Sequence, residues 1–307
     1  MSTNQALSSN RSPFACNFSR SPKSKIPCSI AQMKSDEFEQ LLSLDDDDID
    51  LPEAALIIAQ DEYPGLDIEP YLCQIDEFAA EIAGRLETNG NAESMISTIN
   101  THLFKDLGFR GNMDDYYDPR NSLLNDVLDR RRGIPISLSI LYLGIGRRLG
   151  LDLEGVSFPG HFLVSLNVGS GSIILDPFFG GISLSEDELE FRLSRLGEFE
   201  LVDSLQDFLE PASNKSILER MLRNLCSIYM QNETHDKALN ASNKIMSLAP
   251  DNPQDYRLRA TIYQAMECHT LALDDYRRFL FMDPESDHVE QVRANIIKLQ
   301  SAVRFLH

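Results

Sequence analysis

The sequence predicts an α+β protein: a helical N-terminal part, a middle with a small antiparallel sheet, and an all-α stack at the C-terminus. Three observations predict it. Apolar residues recur at helical spacing between Pro and Gly stops from residue 51 to about 106. From 153 to 178 the period shortens to that of strands, in "LEGVSF", "HFLVSLNV" and "SIILDPF", separated by Gly/Ser turns. Beyond 212, Tyr229 and Tyr263, Ala238-Leu239 and Ala272-Leu273, and Pro250 and Pro284 each recur at a spacing of 34 residues.

The elements follow in order. Residues 1–35 hold five basic residues (Arg11, Arg20, Lys23, Lys25, Lys34), nine serines and no acid. That composition has two readings, an organelle transit peptide or a plain disordered leader. Residues 36–50, with "DDDDID", read as an acidic linker that supplies an N-terminal anion to the next helix. "LPEAALIIAQDEYPG" places Pro52 at a helix start and Pro-Gly at its stop. Helical patterns follow at 69–88 and 93–106. "DDYYDPRNSLLNDVLDRRRG" reads as a turn and a short helix stopped by Gly133, with Asn121 or Ser122 as its cap. "IPISLSILYLGIGRRLG" is a helix with Pro135 in its first turn and Gly150 as its stop. After the three strands, "SEDELEFRLSRL" returns to helix, with Ser185 and acids at its start. Residues 51–211 thus form one unit. Residues 212–307 form a second, in which two 34-residue repeats are closed by a capping helix within "DHVEQVRANIIKLQSAVRFL".

Bulk numbers remove several function classes. A formal net charge of −20 opposes nucleic-acid binding, which recruits clustered Lys and Arg. The longest apolar runs, such as "AALIIA", fall far short of the roughly 20 residues of a membrane span. Five cysteines without CxxC spacing fit free thiols in a reducing compartment. The six histidines have no His or Cys partner at i+3 or i+4, so no metal and no cofactor is expected.

Chemistry concentrates in the middle. His161 opens one strand, in "FPGHFLVSL", and Asp176 closes the next, in "IILDPFFGG". A histidine and an acid at neighbouring strand ends are two members of a nucleophilic triad. The order helix start, His strand, Asp strand resembles the transglutaminase-like core, a relative of the papain fold. The resemblance implies a thiol at the helix N-terminus, a histidine that takes its proton, and an acid that orients the imidazole. The run "RRGIPISLS…PGHFLV…LDPFFGG" is closer still to the SirB-type proteins (the SirB one N-terminal family), in which this core precedes tetratricopeptide repeats. The 34-residue period of the C-terminal third resembles those repeats, although Cys226, Ala260 and Ser242 depart from their usual residues. The SirB-type branch is chiefly bacterial, with plant and algal members. A basic leader on such a body implies a plastid protein; without a transit function the chain would be cytoplasmic.

The departure lies at the nucleophile. The family's thiol falls 15 residues before the helix-ending glycine, and here that position is Pro135. No cysteine lies between 74 and 225, and Cys73 sits in a helical pattern that reads as a core position. Ser137 lies about 200° around the helix from Pro135; Ser139 shares its face but is about 6 Å deeper. Both hydroxyls are expected to bond a carbonyl of the preceding turn or a helix-packing contact. The expected His161–Asp176 contact runs from Nδ1–H to the carboxylate. Arg120, Asn121, Tyr116 and Phe178 are the candidate pocket wall around Pro135. "RRRG" at 130–133 is the one basic cluster and leaves an anionic ligand open. Two functions follow. One is a non-catalytic scaffold on a degenerate transglutaminase-like core, with the repeats docking a protein or peptide. The other is a hydrolase or acyltransferase using His161 and Asp176 with water or Ser139.

Overall fold

The structure, a computed structural model, describes residues 37–86, 91–169, 171–196 and 204–305. The leader, residues 1–35, lies outside them. Helix α1 (Leu51–Ala59) starts where the sequence puts it: the Asp50 carboxylate accepts the Glu53 N–H at 3.1 Å, and Pro52 fills the first turn. All of α1 but Glu53 is buried. Helix α2 (Glu69–Ala83) follows, then α3 (Ala92–Asn100), which runs on into a π-helical turn at Thr101–Asp106. Two-residue strands β1 (Arg110–Gly111) and β2 (Arg132–Gly133) pair in parallel on either side of α4 (Leu124–Arg130).

Two expectations fail here. The stop of α4 is not Gly133 but Arg131, in the left-handed region at φ 58°, while Gly133 is spent in β2. Arg131 holds that conformation with its guanidinium over the Phe109 and Phe78 rings, at 4.6 and 5.2 Å. Cys73 is exposed on α2 rather than buried; the packed face of that helix is Ile75, Phe78, Ala79 and Ile82.

Helix α5 (Pro135–Arg148) is the axis of the core, buried from Pro135 through Gly146. A helix apolar all round must be covered all round. It packs against α1, α2 and the sheet, and Gly144 and Gly146 let Pro52 and Leu153 approach its backbone. The sheet has the order β6-β5-β4-β3-β7 and every pair is antiparallel: β3 (Leu153–Val156), β4 (Leu163–Val168), β5 (Gly171–Asp176), β6 (Ile182–Leu184) and β7 (Pro211–Ala212). The two edge strands, β6 and β7, were too short to register as alternating runs. The sheet's other face packs Val156, Phe158, Leu163 and Ile174 against Leu189 and Leu193 of α6 (Glu186–Leu196). A capping box opens α6, with Ser185 Oγ accepting the Glu188 N–H and the Glu188 carboxylate accepting the Ser185 N–H.

The repeat stack comprises α7 (Asn214–Gln231), α8 (His235–Leu248), α9 (Pro253–Ala265), α10 (His269–Met282) and α11 (Val289–Phe305). Its first helix is not a separate module. Ile217, Leu218, Met221, Leu222 and Leu225 of α7 belong to the same apolar cluster as α1 and α5. The second repeat and α11 carry a cluster of their own around Tyr276, Phe279 and Val292.

Candidate functional site

The loop carrying His161 is set by "FPGH". Pro159 and Gly160, the latter at φ 65°, turn the chain so that the His161 N–H reaches the Phe158 carbonyl at 3.1 Å. The turn after Asp176 is equally fixed: Pro177–Phe179 forms one 3-10 turn, and Gly180 and Gly181 take left-handed φ values of 81° and 73°. Asn100 at the end of α3 pins it, donating to the Gly181 carbonyl at 2.7 Å while accepting the Tyr142 hydroxyl at 3.1 Å.

Between these turns His161 Nε2 lies 2.8 Å from Asp176 Oδ1. The contact uses Nε2, not the expected Nδ1. Among the described residues the ring's one hydrogen bond is to Asp176. Phe179 stacks on the ring at 6.1 Å and Phe178 meets it edge-on at 5.8 Å. Asp176 is 0 % exposed and fully engaged: Oδ1 also accepts the Phe178 N–H at 3.2 Å, and Oδ2 accepts from Arg192 Nη1 at 2.8 Å. Burial by itself would raise this carboxyl's pKa; the His161 hydrogen bond and charge and the Arg192 contact outweigh burial and hold it below the usual carboxylate range.

Arg192 is the member that sequence reasoning missed. It lies on α6, beside the buried Leu189 and Leu193, and its guanidinium sits 5.8 Å from the Phe179 ring centroid. A charged residue on the flank of an amphipathic helix carries no signal of its own partner. Arg220 was missed for the same reason. Reaching from α7, it donates to the Phe158 carbonyl at 3.1 Å, the His161 carbonyl at 2.6 Å and Ser157 Oγ at 2.5 Å. The first repeat helix therefore clamps the histidine loop.

The other candidates divide. Phe178 touches His161, and Tyr116 meets Phe178 edge-on at 6.4 Å, extending the aromatic wall to a half-exposed phenol whose pKa burial raises. Asn121 and Arg120 are drawn off elsewhere. Asn121 is 0 % exposed, accepts from Asn112 Nδ2 at 3.0 Å and donates to the Asp115 and Tyr116 carbonyls. It braces the loop below Tyr116, and neither it nor Ser122 caps α4. No side chain caps α4, whose N-cap is Leu123; Asp118 instead accepts the Arg120 N–H and so starts the preceding 3-10 turn, Pro119–Asn121. Arg120 and Arg130 pair with Asp118 at 2.8 and 3.1 Å, so one member of the basic cluster, Arg130, answers a carboxylate of its own chain.

At the start of α5, Pro135 is buried. The Ile134 N–H is already taken by Asn121 O at 3.3 Å and Ser137 Oγ at 3.0 Å. Ser137 Oγ donates to the Asn121 carbonyl at 2.5 Å. Ser139 departs from expectation: it is 0 % exposed and its Oγ has no hydrogen-bond partner among the described residues. Among the described residues no group of three His, Cys, Asp or Glu side chains is placed to hold a metal ion, and no helix is long and apolar enough to cross a membrane.

A central helix against an antiparallel sheet, with a His–Asp pair at adjoining strand ends, defines a transglutaminase-like core. Residues 69–223 match the transglutaminase-like superfamily and 225–296 the tetratricopeptide repeat. The chain belongs to the transglutaminase-like superfamily and, within it, to the UPF0162 proteins. It is 38% identical to a UPF0162 protein of Xylella fastidiosa over 89% of this chain and 98% of that protein. It is 30% identical to one of Vibrio cholerae over 83% and 96% respectively. F-box only protein 21 of Mus musculus is 33% identical over 55% of this chain and 28% of its own length.

Proposed function

We propose that this chain is a non-catalytic interaction scaffold of the SirB type. Its transglutaminase-like core keeps the His161–Asp176 pair as a rigid polar element, and its repeats dock a protein partner. The observation that carries the proposal is the missing first member. Pro135 stands at the nucleophile position, and the nearest hydroxyl on its helix face, Ser139, is fully buried and not bonded to the imidazole. Tetratricopeptide repeats support a protein partner, since stacked helical hairpins present extended binding surfaces. The basic, acid-free leader supports import into a plastid; mass spectrometry of the mature N-terminus would show cleavage near residue 35.

The test is an activity screen of the full chain against amidase, protease and acyl-transfer substrates, with fluorophosphonate labelling alongside. The expected result is no turnover and no label on Ser139. Turnover abolished by His161→Ala would replace the scaffold with an enzyme. One observation favours that second reading: the His161–Asp176 pair is intact at 2.8 Å, with the imidazole side chain 15% exposed and able to meet water. In that case His161→Ala would remove activity and Ser139→Ala would leave it.

A further inference from the structure

In the second repeat, two arginines lie over the Tyr256 ring of α9: Arg259 of the same helix and Arg278 of α10, each 5.9 Å from the centroid. Each also meets a second ring. Arg259 lies 5.7 Å from Tyr263, and Arg278 lies 5.6 Å from Phe281. Two guanidinium groups are thus held against aromatic faces in the same manner. Only one of them has its fork filled. Arg259 donates from Nε and Nη2 to the two Asp275 carboxylate oxygens, at 2.7 and 2.9 Å, and from Nη1 to Asn243 Oδ1 at 3.2 Å. Arg278 has no hydrogen bond and no ion pair among the described residues. The acid one turn before it, Asp274, pairs with Arg277 instead, at 3.3 Å.

The surface around Arg278 adds an independent feature. Phe281, 78% exposed, is the most exposed large hydrophobic side chain among the described residues, and Leu271 of the same helix is 48% exposed. At 3.6 residues per turn, Leu271, Arg278 and Phe281 fall within an arc of about 80° on α10 and span about 15 Å of its length. A chain with a formal net charge of −20 does not lack carboxylates. It nevertheless leaves this guanidinium without one, on a face that also leaves apolar surface in water.

We infer that this face of α10 docks a segment of a partner protein that carries an Asp or Glu beside an apolar side chain. The inference rests on the reading of the repeats as a docking module, and it names the chemistry of what they dock. The pair Arg259–Asp275 is the template: the partner's carboxylate fills the Arg278 fork as Asp275 fills that of Arg259. A guanidinium offers donors only, and its planar fork matches the two oxygens of a carboxylate. Phe281 and Leu271 receive the apolar neighbour, whose burial removes their exposed surface from water. A face about 15 Å long suits a polypeptide segment rather than a small anion.

The experiment selects random 12-residue peptides, displayed on phage, against the full chain; enriched peptides are then synthesised and their affinities measured by fluorescence anisotropy. The expected set carries an Asp or Glu next to an aromatic or aliphatic residue. Arg278→Gln weakens these peptides about tenfold, and Arg278→Lys, which keeps the charge without the fork, does not restore them. Phe281→Ser weakens them as well. No enrichment, an enriched set without acids, or affinities indifferent to Arg278→Gln each overturns the inference. Phosphoserine in place of the acid, if it binds more than about tenfold tighter, reassigns the fork to a phosphorylated segment and overturns the carboxylate. Self-association of the chain in sedimentation, abolished by Arg278→Gln, assigns the face to a second copy and overturns the partner. Peptides that bind the Arg278→Gln chain unchanged but are lost on altering another face of the repeats sink this inference and keep the docking module. Turnover in the activity screen does the reverse, removing the scaffold and leaving these affinities standing. Should a variant fail to fold, peptides with Glu→Gln decide the matter on the unaltered protein, where they are expected to lose binding.

Discussion

Asp176 and Ser139 are both fully buried in the middle of the same core, and they are furnished in opposite ways. Asp176 has three partners: His161, Arg192 and the Phe178 N–H. Ser139 Oγ has none among the described residues. A buried polar group costs stability unless it is hydrogen-bonded, and a buried charge costs far more unless it is paired. The fold has thus gone to some length to keep an ionised carboxylate against an imidazole, and to none for the hydroxyl on the helix beside it. Whatever this site does, its organised member is the His–Asp pair, and the α5 serine is a tolerated remnant of packing.

Substitutions break or sharpen that contrast. The largest effect belongs to Asp176→Ala, which strands Arg192, opens a gap and frees the imidazole. Chemical denaturation should show a loss of about 3 kcal/mol, while Asp176→Asn, which keeps the shape, loses clearly less. The same pairing has a signature in acid. Because the folded-state pKa of Asp176 is depressed, its contribution is fully present above the unfolded carboxyl value of about 4 and is lost as pH falls through the lower folded value. Urea midpoints measured below pH 4 should therefore fall for the wild type and flatten for Asp176→Asn.

Ser139→Ala should go the other way, removing an unsatisfied hydroxyl and raising stability by about 1 kcal/mol in a thermal melt. If it instead destabilises the protein, Ser139 has a partner and the contrast with Asp176 dissolves. The smallest expected effect concerns His102, on the π-helical turn. It is 1% exposed, with no hydrogen bond to either ring nitrogen and a Glu81 oxygen 3.5 Å away. Burial, followed by the charge of Arg85, lowers its pKa. The unfolded chain then takes up a proton that the folded protein refuses, so stability declines as pH drops from about 7 through the unfolded value near 6.5. His102→Leu should remove that slope, as read from midpoints between pH 5 and pH 8.

The sequence makes legible whatever is local or periodic. The α5 helix can be read from its apolar run between Pro135 and Gly150, the His161 turn from Pro159-Gly160, and the repeats from Tyr229/Tyr263 and Pro250/Pro284. What it hides depends on which distant groups meet. Arg192 and Arg220 look like ordinary helical cations until the fold turns one onto Asp176 and the other onto the His161 carbonyl. Asn121 reads as a cap because Asn often is one; only burial beneath Tyr116 makes it a brace. The choice of Nε2 over Nδ1 is likewise set by the angle between two turns, a quantity with no trace in residue spacing. Cys73 misled because an amphipathic stripe fixes its own boundaries only to within a residue or two.

The Arg220 clamp has a practical corollary. A shortened chain ending near residue 211 would discard the side chain that ties down three groups of the histidine loop, and with it the apolar face of α7 that closes the central core. Such a fragment would not be the core without its appendage; it would be a house missing its fourth wall. Cutting in the Pro250 turn would keep the first hairpin and its Arg220 clamp, at the loss of Ile262 from the central cluster and of the ion pair between Arg223 and the buried Asp255 at 2.6 Å.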